Sequence, residues 1–94
     1  MVVRQLAEAH MFYIYVIYNA LHRKLYIGQT DNIQRRILEH NNSTSERHTY
    51  TKRFDGTWSL VYQEEAYNRK QALVREKQLK SYRGRQFIKQ FIPG

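Results

Sequence analysis

Hydrophobic and polar positions predict strands in three parts of this chain. Residues 12–18 (FYIYVIY) are rich in β-branched and aromatic side chains, which predicts a buried strand. Residues 19–23 then predict a turn, and residues 24–29 (KLYIGQ) a second strand that completes an antiparallel hairpin. Apolar and polar side chains alternate over residues 58–64 (WSLVYQE), after the turn signal of Gly56, as in a half-solvated third strand.

Between the second and third strands, and again after the third, the spacing of apolar residues predicts helices. The exception is a polar, Ser/Thr-rich stretch from about residue 43 to residue 55, which predicts an irregular loop. The element order β-β-α-β-α-α predicts an α+β domain whose small, three-stranded, mainly antiparallel sheet is flanked by helices. The predicted helices run from an N-cap at Thr30 or Asp31 to about His40, from Asn68 over residues 69–82 to an end at Gly84, and over residues 85–91.

Size and composition limit the number of domains and exclude several classes of protein. A chain of 94 residues supports one domain with one core, which we place at residues 11–94 after an N-terminal extension of residues 1–10. The absence of cysteine excludes disulfides and thiolate zinc sites. Because every apolar run is far shorter than the roughly 20 residues that cross a bilayer, we expect a soluble cytoplasmic protein without a membrane partner.

A strong excess of basic residues points to a polyanionic partner. Lys and Arg number 16 against 8 Asp and Glu, which leaves a net charge of +8. Such a charge favours nucleic acid through counterion release, although it is also compatible with a role in solubility alone. Six of these cations predict a basic track for a substrate backbone, with an ordinary solvated surface as the alternative: Lys52, Arg53, Lys80, Arg83, Arg85 and Lys89.

The first predicted helix places polar side chains beside its apolar stripe. Ile33 and Ile37 share one stripe, and Arg36 and His40 flank it, so both polar groups are expected beside the sheet. His40 then has two interpretations: a hydrogen-bond partner or proton relay, or a residue that stabilises the helix C-terminus. The remaining histidines lack metal-ligand spacing and are expected in solvent: His10, His22 and His48.

The second predicted helix carries a carboxylate in an unusual place. Ala72, Leu73 and Leu79 define its apolar face, and Glu76 falls in the middle of that face. One interpretation is an i,i+4 ion pair with Lys80, which contributes a few tenths of a kcal/mol. The other is a ligand for a hard divalent cation.

Tyrosines crowd the predicted hairpin. Strand tyrosines are usually structural, yet a turn centred near residues 20 and 21 makes Tyr15 and Tyr26 near cross-strand neighbours. Gly28 lies two residues beyond Tyr26 and exposes backbone on the same face, where a ligand has room to approach.

These positions together resemble the signature of the GIY-YIG nuclease superfamily. Tyr13-Ile14-Tyr15 and Tyr26-Ile27-Gly28 resemble its two strand motifs, with Tyr13 where glycine is usual and eleven residues from Tyr15 to Tyr26. Residues 32–36 (NIQRR) with His40-Asn41 resemble its first helix, and residues 72–80 (ALVREKQLK) the helix of its metal-binding glutamate. The resemblance extends over about residues 12–91. The asparagine that many members carry downstream of that glutamate is absent from residues 81–94.

The resemblance implies a metal-dependent endonuclease that hydrolyses phosphodiester bonds. By residue-by-residue correspondence, Glu76 would bind Mg²⁺ or Mn²⁺, Arg36 would stabilise the phosphate, and Tyr15 and Tyr26 would orient or deprotonate the attacking water. His40 joins this catalytic set, and DNA rather than RNA is the expected substrate. The predicted substrate-binding residues are Lys24, Gly28, Arg35, Asn41 and Lys80.

Other functions remain open on the same residues. One alternative is a nucleic-acid-binding module on this fold without turnover, and another is a non-enzymatic RNA or ribosome partner attracted by charge. A binding module, however, needs no carboxylate on an apolar helix face. The sequence indicates neither a target site, nor a role in DNA repair or restriction, nor a protein partner, nor an oligomeric state.

Overall fold

The computed structural model describes residues 11–42 and 49–93, and the predicted extension at residues 1–10 lies outside these ranges. Three antiparallel strands form one sheet in the order β2-β1-β3, and within the described ranges four helices flank it. This is the α+β fold that the sequence predicts. The strands are β1 (Phe12–Asn19), β2 (Lys24–Thr30) and β3 (Trp58–Ala66), and the helices are α1 (Ile33–Asn41), α2 (Thr49–Lys52), α3 (Arg69–Lys80) and α4 (Tyr82–Lys89).

The register of the hairpin sets which side chains meet. β1 is the central strand, and it places Tyr15 opposite Gly28 and Ile17 opposite Tyr26. The two tyrosines therefore lie diagonally on one face of the sheet, and the turn is centred slightly later than the sequence suggested. Gly28, rather than Tyr26, is the direct cross-strand neighbour of Tyr15.

Both faces of the sheet are covered, which explains why the first strand is apolar throughout. On one face Ile14 and Val16 pack against α3 and α4. On the other face Tyr15, Ile17 and Trp58 pack against α1 and the segment that follows α2. The first cluster is completed by Ile27, Ala66, Ala72, Leu79 and Ile88, and the second by Tyr26, Ile33, Ile37 and Phe54.

The start of α1 differs from the prediction by one or two residues. Its N-cap is Asn32, whose side-chain oxygen accepts a hydrogen bond from the Arg35 backbone N–H at 3.0 Å. Thr30 instead accepts from the backbone N–H of Asn32 at 3.1 Å. Asparagine is among the best N-caps, and the helix begins one or two residues later than a cap at Asp31 or Thr30 would place it.

The prediction that Gly84 ends the second helix is wrong. Asn68 caps α3 as expected, accepting from the Gln71 N–H at 2.8 Å, but the helix stops at Ser81. Ser81 also caps α4 by accepting from the Gly84 N–H at 3.2 Å, which places Gly84 inside the last helix. Leu73, predicted on the buried face of α3, is 47% exposed.

The polar stretch before β3 is not irregular throughout. The described part from residue 49 onward begins with the short helix α2, which the prediction of a loop missed. None of the helices in the described ranges has the length and apolar character required to cross a membrane.

Candidate active site

A chain of buried hydrogen bonds starts at the hydroxyl of Tyr15. This side chain is 1% exposed, and its Oη lies 2.7 Å from Nε2 of His40, which is 3% exposed. The other ring nitrogen, Nδ1, lies 3.0 Å from Oγ1 of Thr51. Since a neutral imidazole has one donor and one acceptor nitrogen, a proton can occupy either side of this ring. Tyr15, His40 and Thr51 thus form a hydrogen-bonded chain that connects β1, α1 and α2.

The hydrogen bonds of His40 are consistent with one of its two predicted interpretations. The structure shows a hydrogen-bond partner for Tyr15 at the C-terminal end of α1. Whether the ring also relays a proton during a reaction stays a prediction.

Tyr26 lies against the same histidine. Its ring centroid is 4.8 Å from that of His40 and 6.1 Å from that of Tyr15, with tilted planes. On its other side the ring of Tyr50 follows at 6.0 Å. The two tyrosines that the sequence singled out are therefore brought together, with His40 between them and α2.

Burial raises the pKa of the Tyr15 hydroxyl far above its ordinary value. The negative charge that Tyr26 carries when ionised raises the pKa further, as does that of Glu76, while the positive charge of Arg36 lowers it. These opposing effects show that Arg36 and Glu76 lie within electrostatic reach of Tyr15. At neutral pH the neutral phenol is therefore the stable form of Tyr15.

This shift predicts an alkaline instability that Tyr15→Phe removes. Above about pH 10 the unfolded chain releases the Tyr15 proton while the folded protein retains it, so the free energy of unfolding falls with rising pH by up to about 1.4 kcal/mol per unit. Below that pH both states hold the proton and this slope is absent. Urea unfolding of both proteins between pH 8 and 11 measures the difference. Equal slopes for the two proteins would contradict the assignment.

Arg36 is held beside the site by its own helix. Its Nε lies 3.5 Å from Oε1 of Glu39, and both side chains are largely buried, at 20% and 23% exposure. The sequence placed Arg36 on the flank of α1 next to the sheet, and its effect on Tyr15 agrees with that position. A largely buried guanidinium near a phenol suits the binding of a phosphate.

Glu76 lies on α3, in the helical layer on the other face of the sheet, and its negative charge raises the pKa of Tyr15. Its carboxylate forms the ion pair with Lys80 that the sequence offered as one alternative, at 2.7 Å, and its side chain is 19% exposed. Among the residues that the structure describes, no group of three or more His, Asp or Glu side chains surrounds a metal position. One carboxylate nevertheless fits Mg²⁺, which commonly takes one or two carboxylates and completes its shell with water and substrate phosphates.

Two predicted substrate-binding residues have protein partners in this structure. The Arg35 guanidinium lies 2.7 Å from Oδ1 of Asp31, on an exposed surface of α1. Asn41 bonds to the backbone of Trp58, accepting from its N–H at 2.8 Å and donating to its carbonyl at 3.0 Å. Asn41 thus joins the end of α1 to the start of β3, and its role toward a substrate stays a prediction.

Lys24 and Lys80 lie along a groove at the open edge of β2. The groove has a volume of about 720 Å³ and is also lined by Tyr26 and Tyr50. Lys24 additionally places its Nζ 5.4 Å from the ring centroid of Phe54. Because β2 is an edge strand, the groove is reached from both helical layers, which brings Lys80, the partner of Glu76, to the same recess as Tyr26.

Sequence reasoning missed Thr51 and Tyr50. Both belong to α2, in a polar stretch whose composition gives no periodic signal. The backbone carbonyl of Thr51 accepts from Nε1 of Trp58 at 3.3 Å, so this short helix is positioned by contacts remote in sequence.

Of the histidines expected in solvent, the structure describes His22, and this residue is partly exposed and has a hydrogen-bond partner. Its Nε2 lies 2.5 Å from Oδ1 of Asp55, and this hydrogen bond lowers the pKa of the Asp55 carboxyl. The pair stabilises the hairpin turn away from the site. His10 and His48 lie outside the described residues.

Comparison with known proteins shows the family to which this chain belongs. A family model described as the GIY-YIG catalytic domain matches residues 11–89, which is most of the chain. The chain belongs to the GIY-YIG family. Membership implies nuclease activity in general and a nucleic acid as the substrate, and GIY-YIG nucleases generally use divalent metal ions.

Relatives of similar length support the assignment. A UPF0213 protein of Staphylococcus saprophyticus is 32% identical over 82 residues, covering 87% of this GIY-YIG chain and 95% of its own length. UPF0213 proteins of Staphylococcus haemolyticus and Staphylococcus epidermidis (strain ATCC 35984) are 32% and 33% identical over 77 and 70 residues. They cover 82% and 74% of this chain and 89% and 82% of their own lengths. No solved structure gives a significant match.

The glycine of the second GIY-YIG motif predicts a steric test. A Cβ at Gly28 would lie 2.8 Å from Oη of Tyr15 and 2.9 Å from Cε2 of Tyr26, closer than such atoms can approach. Gly28→Ala should therefore displace both rings, lower the free energy of unfolding by about 1–3 kcal/mol and slow cleavage. Urea unfolding and cleavage rates measure the two effects.

A double variant distinguishes this clash from a general effect on the strand. In the Tyr15→Phe background one clashing atom is gone, so Gly28→Ala should destabilise the protein less than it does in the native chain. Equal destabilisation in both backgrounds would show that the clash with the Tyr15 hydroxyl is not responsible.

Proposed function

We propose that this GIY-YIG protein is a metal-dependent endonuclease that hydrolyses phosphodiester bonds in DNA. The observation that supports the proposal best is the buried hydrogen-bonded chain of Tyr15, His40 and Thr51. A surface that only binds nucleic acid gains nothing from a phenol withdrawn from solvent and joined to an imidazole. Such a pair suits proton transfer, in which a well-placed group contributes about 10²–10⁴-fold to a rate.

The raised pKa of Tyr15 bears on how it would act. A free phenolate at neutral pH would be too rare, so we propose that the Tyr15 oxygen takes a proton from water as its own proton passes to Nε2 of His40. The products of this step are an attacking hydroxide, a neutral phenol and an imidazolium. Tyr26, in contact with His40, would orient the water.

Arg36 would stabilise the negative charge of the phosphate directly, and Glu76 would do so through a bound metal ion. The fixed fork of the Arg36 guanidinium suits a phosphate that gains charge as water attacks. Glu76 would bind the Mg²⁺ or Mn²⁺ ion, exchanging its ion pair with Lys80 for the metal. When bound, this metal supplies Lewis-acid stabilisation of the phosphate and of the leaving oxygen. Lys80, released from Glu76, could then contact the substrate backbone.

A second candidate function is a nucleic-acid-binding module without turnover. The observation in its favour is the Glu76–Lys80 ion pair, which gives the carboxylate a structural role in the absence of metal. Such a protein would bind nucleic acid equally well with and without a divalent ion.

An assay of substrate classes separates the two functions. Purified protein is incubated with labelled single-stranded, duplex and branched DNA and with RNA, in Mg²⁺, Mn²⁺ or EDTA. The endonuclease proposal expects internal cuts in DNA that require the metal. Intact substrates in every metal condition, together with binding that persists in EDTA, would favour the binding module instead.

A further inference from the structure

The groove along β2 combines positive charge with an exposed aromatic ring. Tyr50 is 39% exposed and lines the recess beside Tyr26, and its ring is tilted by 30° from that of Tyr26. Cations line the same recess from the hairpin on one side and from α3 and α4 on the other. They are Arg23, Lys24, Lys80, Arg85 and Lys89.

Some of these groups are fixed in place. The Nε of Arg85 donates to the backbone carbonyl of Lys80 at 3.1 Å, which holds its guanidinium where α3 meets α4. Tyr50 packs against Phe54, and the two rings lie edge-on with centroids 5.6 Å apart. A ring that is supported in this way loses little conformational entropy when a ligand stacks on it.

From this arrangement we propose that the groove binds an unpaired polynucleotide strand, with one base stacked on Tyr50 and the flanking phosphates on the cations. The inference rests on the proposed function, because it names the substrate class of the same site. A base in a duplex has both faces covered by its neighbours, whereas an unpaired base offers its face to an aromatic ring. The volume of about 720 Å³ is within the range of pockets that hold a single ligand, which is enough for one unpaired base and its flanking phosphates.

The position of the groove links this strand to the reaction. Tyr26 belongs both to the groove and to the cluster around His40, and Lys80 belongs both to the groove and to the ion pair of Glu76. A strand lying on Tyr50 would thus pass Tyr26 and Lys80, which adjoin the residues proposed to activate water and bind the metal. Cleavage should occur in, or at the border of, a single-stranded region.

Binding measured without cleavage tests the proposal. Fluorescence anisotropy of the full chain in EDTA compares single-stranded DNA, single-stranded RNA and blunt duplex DNA of one sequence. We expect a single strand to bind more tightly than the duplex. Tyr50→Ala should weaken strand binding on the order of tenfold or more and leave duplex binding within about twofold, while Tyr50→Phe keeps native affinity.

The charge contribution has its own matched control. Lys89→Ala should reduce the slope of log affinity against log salt for the single strand by about 0.7. Lys70→Ala changes the net charge equally but lies in a different recess, beside Arg75 and Gln78, and should leave the slope unchanged. Equal effects of the two variants would show that general charge, rather than the groove, attracts the strand.

The outcomes for the groove and for catalysis are separable. Tighter duplex binding, or a Tyr50→Ala variant that retains strand affinity, overturns the groove proposal even if metal-dependent cleavage is observed. Strand binding that depends on Tyr50, with no cleavage in Mg²⁺ or Mn²⁺, supports the groove and rejects the endonuclease. The duplex measurement and the far-ultraviolet circular dichroism of Tyr50→Ala verify that the variant is folded.

Discussion

We expect Glu76→Ala to lower the rate of metal-dependent cleavage by about 10³-fold or more, with little change in stability. The reason for the rate loss is that, within the part of the chain that the structure describes, no group of three or more His, Asp or Glu side chains offers another metal site. Without this ligand the metal that stabilises the phosphate charge is lost. The fold should tolerate the change, because the ion pair with Lys80 contributes at most about 1 kcal/mol.

Single-turnover cleavage rates at saturating protein, over a range of Mg²⁺ concentrations, measure the effect. Glu76→Gln keeps the shape of the side chain but removes its charge, and should be nearly as inactive as Glu76→Ala. Glu65→Ala is the matched control, since Glu65 is an exposed carboxylate on β3 and its removal changes the net charge equally. Cleavage by Glu76→Ala within tenfold of the native rate would show that Glu76 does not bind the catalytic metal.

The fold was predictable where local pattern and tertiary packing agree. The apolar run of β1 and the apolar and polar pattern of β3 predicted strands that the structure shows. Burial along β3 does not alternate strictly, since Leu60 is 39% exposed and the pairing of β1 with β3 shifts register between Val16 and Ile17. Gly84 was assigned incorrectly because glycine commonly ends helices. Its actual reason is the approach of two backbones, which depends on how α3 and α4 pack and leaves no local signal.

The site residues that could be predicted are those on helices or strands long enough to show an apolar period. The wheel of α1 placed Arg36 and His40 beside the sheet, and both lie close enough to Tyr15 for a hydrogen bond or an electrostatic effect. Thr51 and Tyr50 were not predictable, because a helix of four residues has no apolar period to read. Its place is set by tertiary contacts with Trp58 and His40.

At the corner where α3 meets α4, we expect the largest loss of stability when a single methyl group is added to Gly84. A Cβ at Gly84 would lie 2.3 Å from the backbone oxygen of Gln78 and 2.4 Å from Cα of Leu79. These are backbone atoms where the two helices meet, so no side-chain rotation relieves the clash. We expect Gly84→Ala to lower the free energy of unfolding by about 3 kcal/mol.

The sign of this effect makes the test decisive. Helix propensity alone predicts that alanine in place of glycine inside α4 stabilises the protein by up to about 1 kcal/mol, and the cap hydrogen bond from the Gly84 N–H to Ser81 would survive the change. Urea unfolding at constant m-value measures the difference, with Gln86→Ala, an exposed position in the same helix, expected within about 0.5 kcal/mol of the native protein. A stabilised Gly84→Ala would mean that the two helices do not approach this closely. A destabilised one that still folds should also cleave more slowly, because the same corner positions Lys80 and, one turn earlier, Glu76.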